Sequence, residues 1–416
     1  MPNQEKEING LLCLHSLVYN YFARKDSKLG KGSISWFSNS PSAPTGYGQQ
    51  TAQVLKRLVR DGYDVAMLSN FGREGTNGEI SVGGKMIPEY ARGAEIYSQD
   101  VTPMNHMHFA GQFPNQKHLM VSLYDQWIMK GKAYDNFQIL AWTPVDHQPA
   151  PPGVIEWVKK DNVHPLAMSR FGQDMLSAKG VESTYVPHAI EKVFRPTNKI
   201  EGVEKRAYVG VGKTDFVVGM NAANKASGLV HRKAFAENLL AFSIFAKDKP
   251  DAKIYLHTDM YGSFGGWKLG QLAEAVGLKP EQVVFADPVA YRYGLSQSSL
   301  AGLYTAMDVY LGASYGEGFG IGTIEAQACG TPVIVSNFAA SPELVADGWV
   351  VDGQPLYDPA QLAWFAVPSV PSIVTALEEA YARPRERSSK AIEGMAEYDA
   401  DFVYKTHWKP VLERFL

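Results

Sequence analysis

Short apolar runs alternate with helical stretches along almost the whole chain, and the alternation happens twice. The first series holds ISWFSNS (34–40), YDVAMLSNF (63–71), KHLMVSLYD (117–125), FQILAWTPVD (137–146), HPLAMSR (164–170) and STYVPHAI (183–190). Between the first two lies GQQTAQVLKRLVRDG (48–62), amphipathic with Leu55, Leu58 and Val59 on one side. Strands separated by helices are the pattern of a parallel sheet in an α/β architecture. From Phe194 to Asp215 the texture breaks into charge, glycine and proline with little periodicity, which reads as a linker. A second series follows: FVVGMNAAN (216–224), AKIYLHTD (252–259), QVVFADPV (282–289), MDVYLGAS (307–314) and TPVIVSN (331–337), with a helix at 232–250 ended by Pro250. The 416 residues suit two cores better than one. A cleft between two α/β halves is then the expected site.

The boundaries follow from the same pattern. Residues 1–32 are expected to form a helical extension, with Ile8, Leu11, Leu12, Val18 and Phe22 near helical spacing. Residues 33–200 form the first Rossmann-like domain and 201–395 the second. Residues 396–416 are expected to be a terminal helix returning to the first domain. The opening MPNQEKE is not the basic start of a secretory leader, and no apolar run reaches the roughly 18 residues of a membrane span. Cys13 and Cys329 are far apart and have no metal-ligand spacing, which fits a cytoplasmic protein. A net charge of −3 gives no general pull toward nucleic acid as a partner, although a local basic groove stays open.

The corner SYGEGFGIGTIEAQACG (314–330) carries the most chemistry. A buried strand runs into a glycine-rich loop, then a helix that Gly330 ends as a left-handed cap. Loop amides at a helix amino end hold anions such as phosphate. Glu317 stands at the carboxyl end of the strand and Glu325 about one turn into the helix. Each carboxylate can accept two hydroxyl hydrogen bonds at once. The pair suits a ligand with hydroxyls at both ends and phosphates between. Taken singly, Glu317 also fits a solvated loop residue, and Glu325 a carboxylate placed by the helix dipole.

The stretch EGFGIGTIEAQACGTPVI (317–334), with LAGLYTAMDVYLGAS before it and SPELVADG after it, resembles the E-x7-E signature of retaining glycosyltransferases of family 4. In weaker form the resemblance runs from about Ile34 to Asp352. It implies a GT-B fold: two Rossmann-like domains whose parallel sheets face a central cleft. It also implies a donor that is a nucleotide-diphosphate hexose, such as a UDP- or GDP-hexose, and no further cofactor. Glu317 would contact the transferred sugar and Glu325 the ribose. The backbone of Gly318, Phe319, Gly320 and Ile321 would hold sugar and phosphates. The family's arginine and lysine for the diphosphate correspond in part. Lys233 matches the lysine, Asn221 stands where the arginine is expected, and Arg232 or Lys225 is left to supply the second cation.

The first half offers PTGYGQQTAQVLKRL, where Gly46 opens a helix like the family's glycine-rich loop. A dinucleotide fingerprint needs a third glycine and an acid closing the next strand. Here the third position is Thr51 and the strand ends in LSNF, so both requirements fail. Asp125, Asp146 and His147 end two strands and, by analogy, would line the acceptor side, although each alone also fits a loop cap. His188 in VPHAIEKVFRP reads as structural, and His257, Thr258 and Asp259 as cleft wall. The DAD at 399–401 lies in the charged tail and not after a strand, so no metal site is expected. The reading is a metal-independent hexosyltransferase that retains anomeric configuration and acts on an acceptor hydroxyl. The alternatives are a nucleotide-sugar epimerase or phosphorylase of the same fold, and a non-catalytic sugar-nucleotide or glycan-binding protein.

Overall fold

The computed structural model describes residues 30–226 and 230–416. The expected extension at 1–32 therefore falls almost wholly outside the described residues. The first domain is built on β1 (Ser33–Asn39), β2 (Asp64–Phe71), β3 (Gly78–Val82), β4 (Lys85–Tyr90), β5 (His118–Leu123), β6 (Ile139–Thr143), β7 (Val163–Ala167) and β8 (Thr184–Tyr185). Their order is β3-β4-β2-β1-β5-β6-β7-β8. All neighbours pair in parallel except β3 and β4, an antiparallel edge hairpin. Every residue of β1 is buried, as a strand covered on both faces requires. Helix α1 (Gly46–Asp61) follows β1. Thr45 caps it by accepting from the Gly48 amide at 3.0 Å, and Gly62 ends it at φ 90°.

The stretch read as a linker is not featureless. It holds a small hairpin of β9 (Lys199–Ile200) and β10 (Val203–Glu204), and Ile200 is buried in the main core. The second sheet has six strands: β11 (Phe216–Asn221), β12 (Ala252–His257), β13 (Val283–Phe285), β14 (Val309–Leu311), β15 (Val333–Ser336) and β16 (Gly348–Val351). Their order is β13-β12-β11-β14-β15-β16, parallel throughout. An antiparallel hairpin, β17 (Gly353–Asp358) and β18 (Ala363–Pro368), then leaves the second domain. It reaches the first domain, where Gln148 and Trp364 exchange backbone hydrogen bonds at 3.0 and 2.9 Å.

The tail returns to the first sheet. Trp408 is 1% exposed and packs on Trp36 and Trp142, with ring centroids 5.5 and 4.8 Å apart. Buried Arg57 holds the same segment by pairing with Glu191 at 2.8 Å and Asp401 at 2.9 Å. A Trp408→Ala substitution should therefore cost about 3–5 kcal/mol, the range for emptying a large aromatic site in a core. Denaturant unfolding of the two proteins checks this.

Candidate functional site

Most residues singled out in the sequence converge on one cleft of about 2310 Å³ between the domains. The carboxyl ends of the parallel strands put them there. Asp125 and Asp146 follow β5 and β6, Asn221 ends β11, and Glu317 follows β14. Gly46, Asp125, Asp146, His147, Asn221, Arg232, Lys233 and the run Glu317–Ile321 with Glu325 all line the cleft.

Glu317 is the centre of the charge arrangement. Its carboxylate takes a 2.5 Å ion pair from Lys233 Nζ and a 3.0 Å one from Arg232. The same guanidinium donates to the carbonyl of Gly316 and lies 3.7 Å from Asp146, on the other domain. The solvated-loop alternative for Glu317 therefore fails. Burial alone would raise the Glu317 carboxyl, but the charges of Arg232 and Lys233 outweigh it and hold it at about 2. Burial pulls the Lys233 ammonium below its ordinary value, and Glu317 restores only part of that. Lys225 also lines the cleft, but Arg232 is the one paired with Glu317.

Glu325 lies in α2 (Ile321–Ala328), whose amino end is opened by Gly320 at φ 107°. It is 3% exposed, and its Oε2 accepts from the Tyr304 hydroxyl at 2.7 Å. Asn221 Nδ2 donates to the same hydroxyl at 2.8 Å. Burial raises the Glu325 carboxyl to about 8, and the Tyr304 hydrogen bond only partly opposes this. This carboxylate is thus no surface group near a helix dipole. Tyr304 escaped the sequence reading. Its only signal was a tyrosine among small residues in LAGLYTAMD.

The raised carboxyl has a stability consequence. Its stabilising contribution is complete below the unfolded value of 4.5 and is lost as pH rises through about 8. The melting temperature should therefore fall by a few degrees between pH 5 and 9. Glu325→Gln should flatten that slope, which scanning calorimetry across the range would show.

On the opposite wall, the Asp125 carboxyl is raised to about 6, mainly by burial and then by neighbouring Asp146. The Tyr47 hydroxyl lies 3.4 Å from it. His147 Nδ1 is 2.7 Å from Asp146, and its Nε2 is 3.3 Å from Asp358 of the β17–β18 hairpin. Its ring lies 3.7 Å from that of Phe365. Asp358 was missed because nothing in the sequence links the hairpin to the first domain. His188 is 2% exposed against Trp142 and Phe319. Burial lowers it to about 3, so it stays neutral. His257 lines the cleft, whereas Asp399 caps a short helix and Asp401 pairs with Arg57. Among the described residues, no group of three or more His, Cys, Asp or Glu is placed to hold a metal ion. None of their helices is long and apolar enough to cross a membrane.

The domains meet closely where glycines allow it. A Cβ on Gly318 would come within 2.6 Å of Pro144, and one on Gly316 would strike the Asp146 carbonyl. Gly46 faces Ile321 across the cleft, where a Cβ would sit 3.2 Å from its Cδ1.

The family model described as Glycosyl transferases group 1 matches residues 227–367, the span that carries Arg232, Lys233, Glu317 and Glu325. D-inositol 3-phosphate glycosyltransferase of Streptomyces avermitilis is 34% identical over 130 residues, 30% of this chain and 27% of that protein. The Mycobacterium marinum protein of the same description is 40% identical over 80 residues, 19% of this chain and 16% of that one. The chain thus spans about a quarter, or less, of the length of these curated relatives. Among solved structures, sucrose-phosphate synthase from Thermosynechococcus elongatus aligns with a TM-score of 0.64 at 18% identity, over 92% of this chain and 97% of that one. Anabaena HepE in complex with UDP-glucose aligns at 0.64 and 15% identity, over 92% and 100%. These likenesses show the fold, which is GT-B. The resemblance read at Glu317–Ile334 holds at the level of group 1 glycosyl transferases.

Proposed function

We propose that this chain is a retaining glycosyltransferase of family 4 type. It moves a hexose from a nucleotide-diphosphate sugar to an acceptor hydroxyl without a metal. One observation carries the reading. Glu317, Arg232 and Lys233 form a charge cluster beside the amino end of α2, with Glu325 buried eight positions on and an acid-lined wall opposite.

The roles follow from the chemistry. Arg232, Lys233 and the α2 amino end meet the diphosphate and stabilise the charge that grows on it as the glycosidic bond breaks. Glu317 accepts from hydroxyls of the transferred hexose and, as their counter-ion, orients both cations. Glu325 accepts from the ribose. The acceptor oxygen forms its new bond on the face the leaving group departs from. Its proton passes to the departing phosphate, so no protein nucleophile is needed. Asp125, Asp146 and His147 orient the acceptor and the reacting sugar. That HepE was solved with UDP-glucose supports a nucleotide-sugar donor. The cytoplasm is the proposed location.

The test is release of nucleoside diphosphate from a panel of UDP- and GDP-hexoses with chelator present, with NMR of the product's anomeric proton. Retention at undiminished rate is expected. Inversion, or a metal requirement, would contradict those parts of the proposal. A sugar epimerised without an acceptor would replace the transferase by an epimerase.

Tyr304→Phe gives a finer check. It removes the hydroxyl that fixes Glu325 and leaves the ring in place. Donor KM should rise by about three- to tenfold with kcat nearly unchanged, as for one lost hydrogen bond outside the reacting centre. Steady-state kinetics against donor would show it.

A further inference from the structure

The first domain carries an aromatic wall that the chemistry above does not use. Tyr47, Tyr124, Tyr97 and Trp127 follow one another with ring centroids 5.8, 6.1 and 5.5 Å apart, each ring tilted or edge-on to the next at 57°, 71° and 82°. All four line the cleft. The wall's Tyr124 ring is anchored from behind. Buried Phe37 stacks beneath Tyr124 at 5.7 Å. The Tyr124 hydroxyl takes 2.8 Å from Asn70 Nδ2, and Asn70 Oδ1 takes 2.7 Å from Ser98. The inner end of the wall is acidic, with Asp125 3.4 Å from the Tyr47 hydroxyl.

Resting on the transferase reading, we infer that the acceptor is a saccharide packed against Tyr97, Tyr124 and Trp127, with the reacting hydroxyl at Asp125. Aromatic faces cover the apolar face of a sugar ring. Carboxylates accept from hydroxyls, whereas a phosphate arriving at the same end would meet like charge. That asymmetry favours a hydroxyl-rich ring over a nucleotide, although aromatic rings alone would serve either. The acceptor oxygen bonds to the anomeric carbon, the donor's glycosidic bond to phosphate breaks, and the acceptor proton leaves with the phosphate.

The experiment has two arms on the full chain. Nucleoside diphosphate release from donor alone, in which water takes the hexose, tests the transferase reading. Release is then measured with a panel of common hexoses, pentoses, N-acetylhexosamines and their disaccharides, and separately with a single-stranded oligonucleotide. At least one saccharide should accelerate release about tenfold or more and gain a hexose by mass. Trp127→Ala and Tyr97→Ala should each raise KM for that saccharide about tenfold, equivalent to about 1.4 kcal/mol for a lost stacking face. Tyr97→Phe should restore it, and donor KM should change by less than about twofold. Donor cleavage that no saccharide accelerates, or acceleration by the oligonucleotide instead, overturns the inference and leaves the transferase. Donors that are never cleaved sink the transferase reading. The inference then falls with it unless saccharides quench Trp127 fluorescence in the wild type and not in Trp127→Ala.

Discussion

Glu317→Ala should lower kcat by about three orders of magnitude while donor binding weakens far less. The carboxylate does two things whose loss is felt mainly in the transition state. It is proposed to hold hydroxyls of the moving hexose, and its ion pairs fix Arg232 and Lys233 where the proposed diphosphate charge would develop. Removing a single preorganised group of this kind costs about 10²–10³ in kcat, and here two linked functions go together. Glu317→Gln keeps the shape and one acceptor but loses the charge, so it should fall between wild type and alanine. Without its counter-ion, the cation pair also costs stability. Because both cations keep some contact with solvent, about 1–2 kcal/mol is expected rather than the full cost of a buried unpaired charge. Circular dichroism melts separate that loss from the kinetic one, and isothermal titration with nucleoside diphosphate reports the binding side. A Glu317→Ala enzyme with near wild-type turnover would remove the centre from the proposed mechanism.

Lys233→Ala should lower kcat/KM by about two to three orders of magnitude, with kcat carrying most of it. The lost ammonium is the cation closest to Glu317, and the charge it would meet grows as the phosphate departs. Lys233→Arg restores charge but not the compact geometry and should recover only part. The pH dependence supplies a separate check. Burial lowers the Lys233 value below that of a free lysine, so the active, charged form is lost earlier as pH rises. The basic limb of the kcat/KM profile, which reports the free enzyme, should therefore lie below the ordinary lysine range. In Lys233→Arg that limb should move upward or disappear. A limb unchanged between the two proteins would assign it to another group.

Most parallel strands were legible because they are buried on both faces and read as near-continuous apolar runs, as in ILAWT of β6 or VIVS of β15, whereas half-exposed GWVV of β16 was not read as a strand. The hairpins β3–β4 and β17–β18 were not. GEISV and KMIPEY of β3 and β4, and GQPLYD of β17, are half exposed at an edge, and their mixed polarity looks like loop. The site divided in the same way. Glu317 and Glu325 stand in a local pattern of strand, glycine loop and helix that sequence spacing displays. Contacts made by distant segments do not appear in spacing. Arg232 as the partner of Glu317, Tyr304 behind Glu325, and Asp358 on His147 all depend on how segments distant in sequence meet. Glu325 adds a second kind of limit. Its position was visible, but its burial and raised carboxyl come from the helix packed around it.

The backbone exchange between Gln148 and Trp364 ties a hairpin of one half to a loop of the other. Any opening wide enough to admit a nucleotide sugar past that edge must part those two amides from their carbonyls. Their deuterium uptake thus reports on that parting. The protection of these protons in heavy water, compared with and without saturating donor, measures what fraction of the time the two amides spend parted.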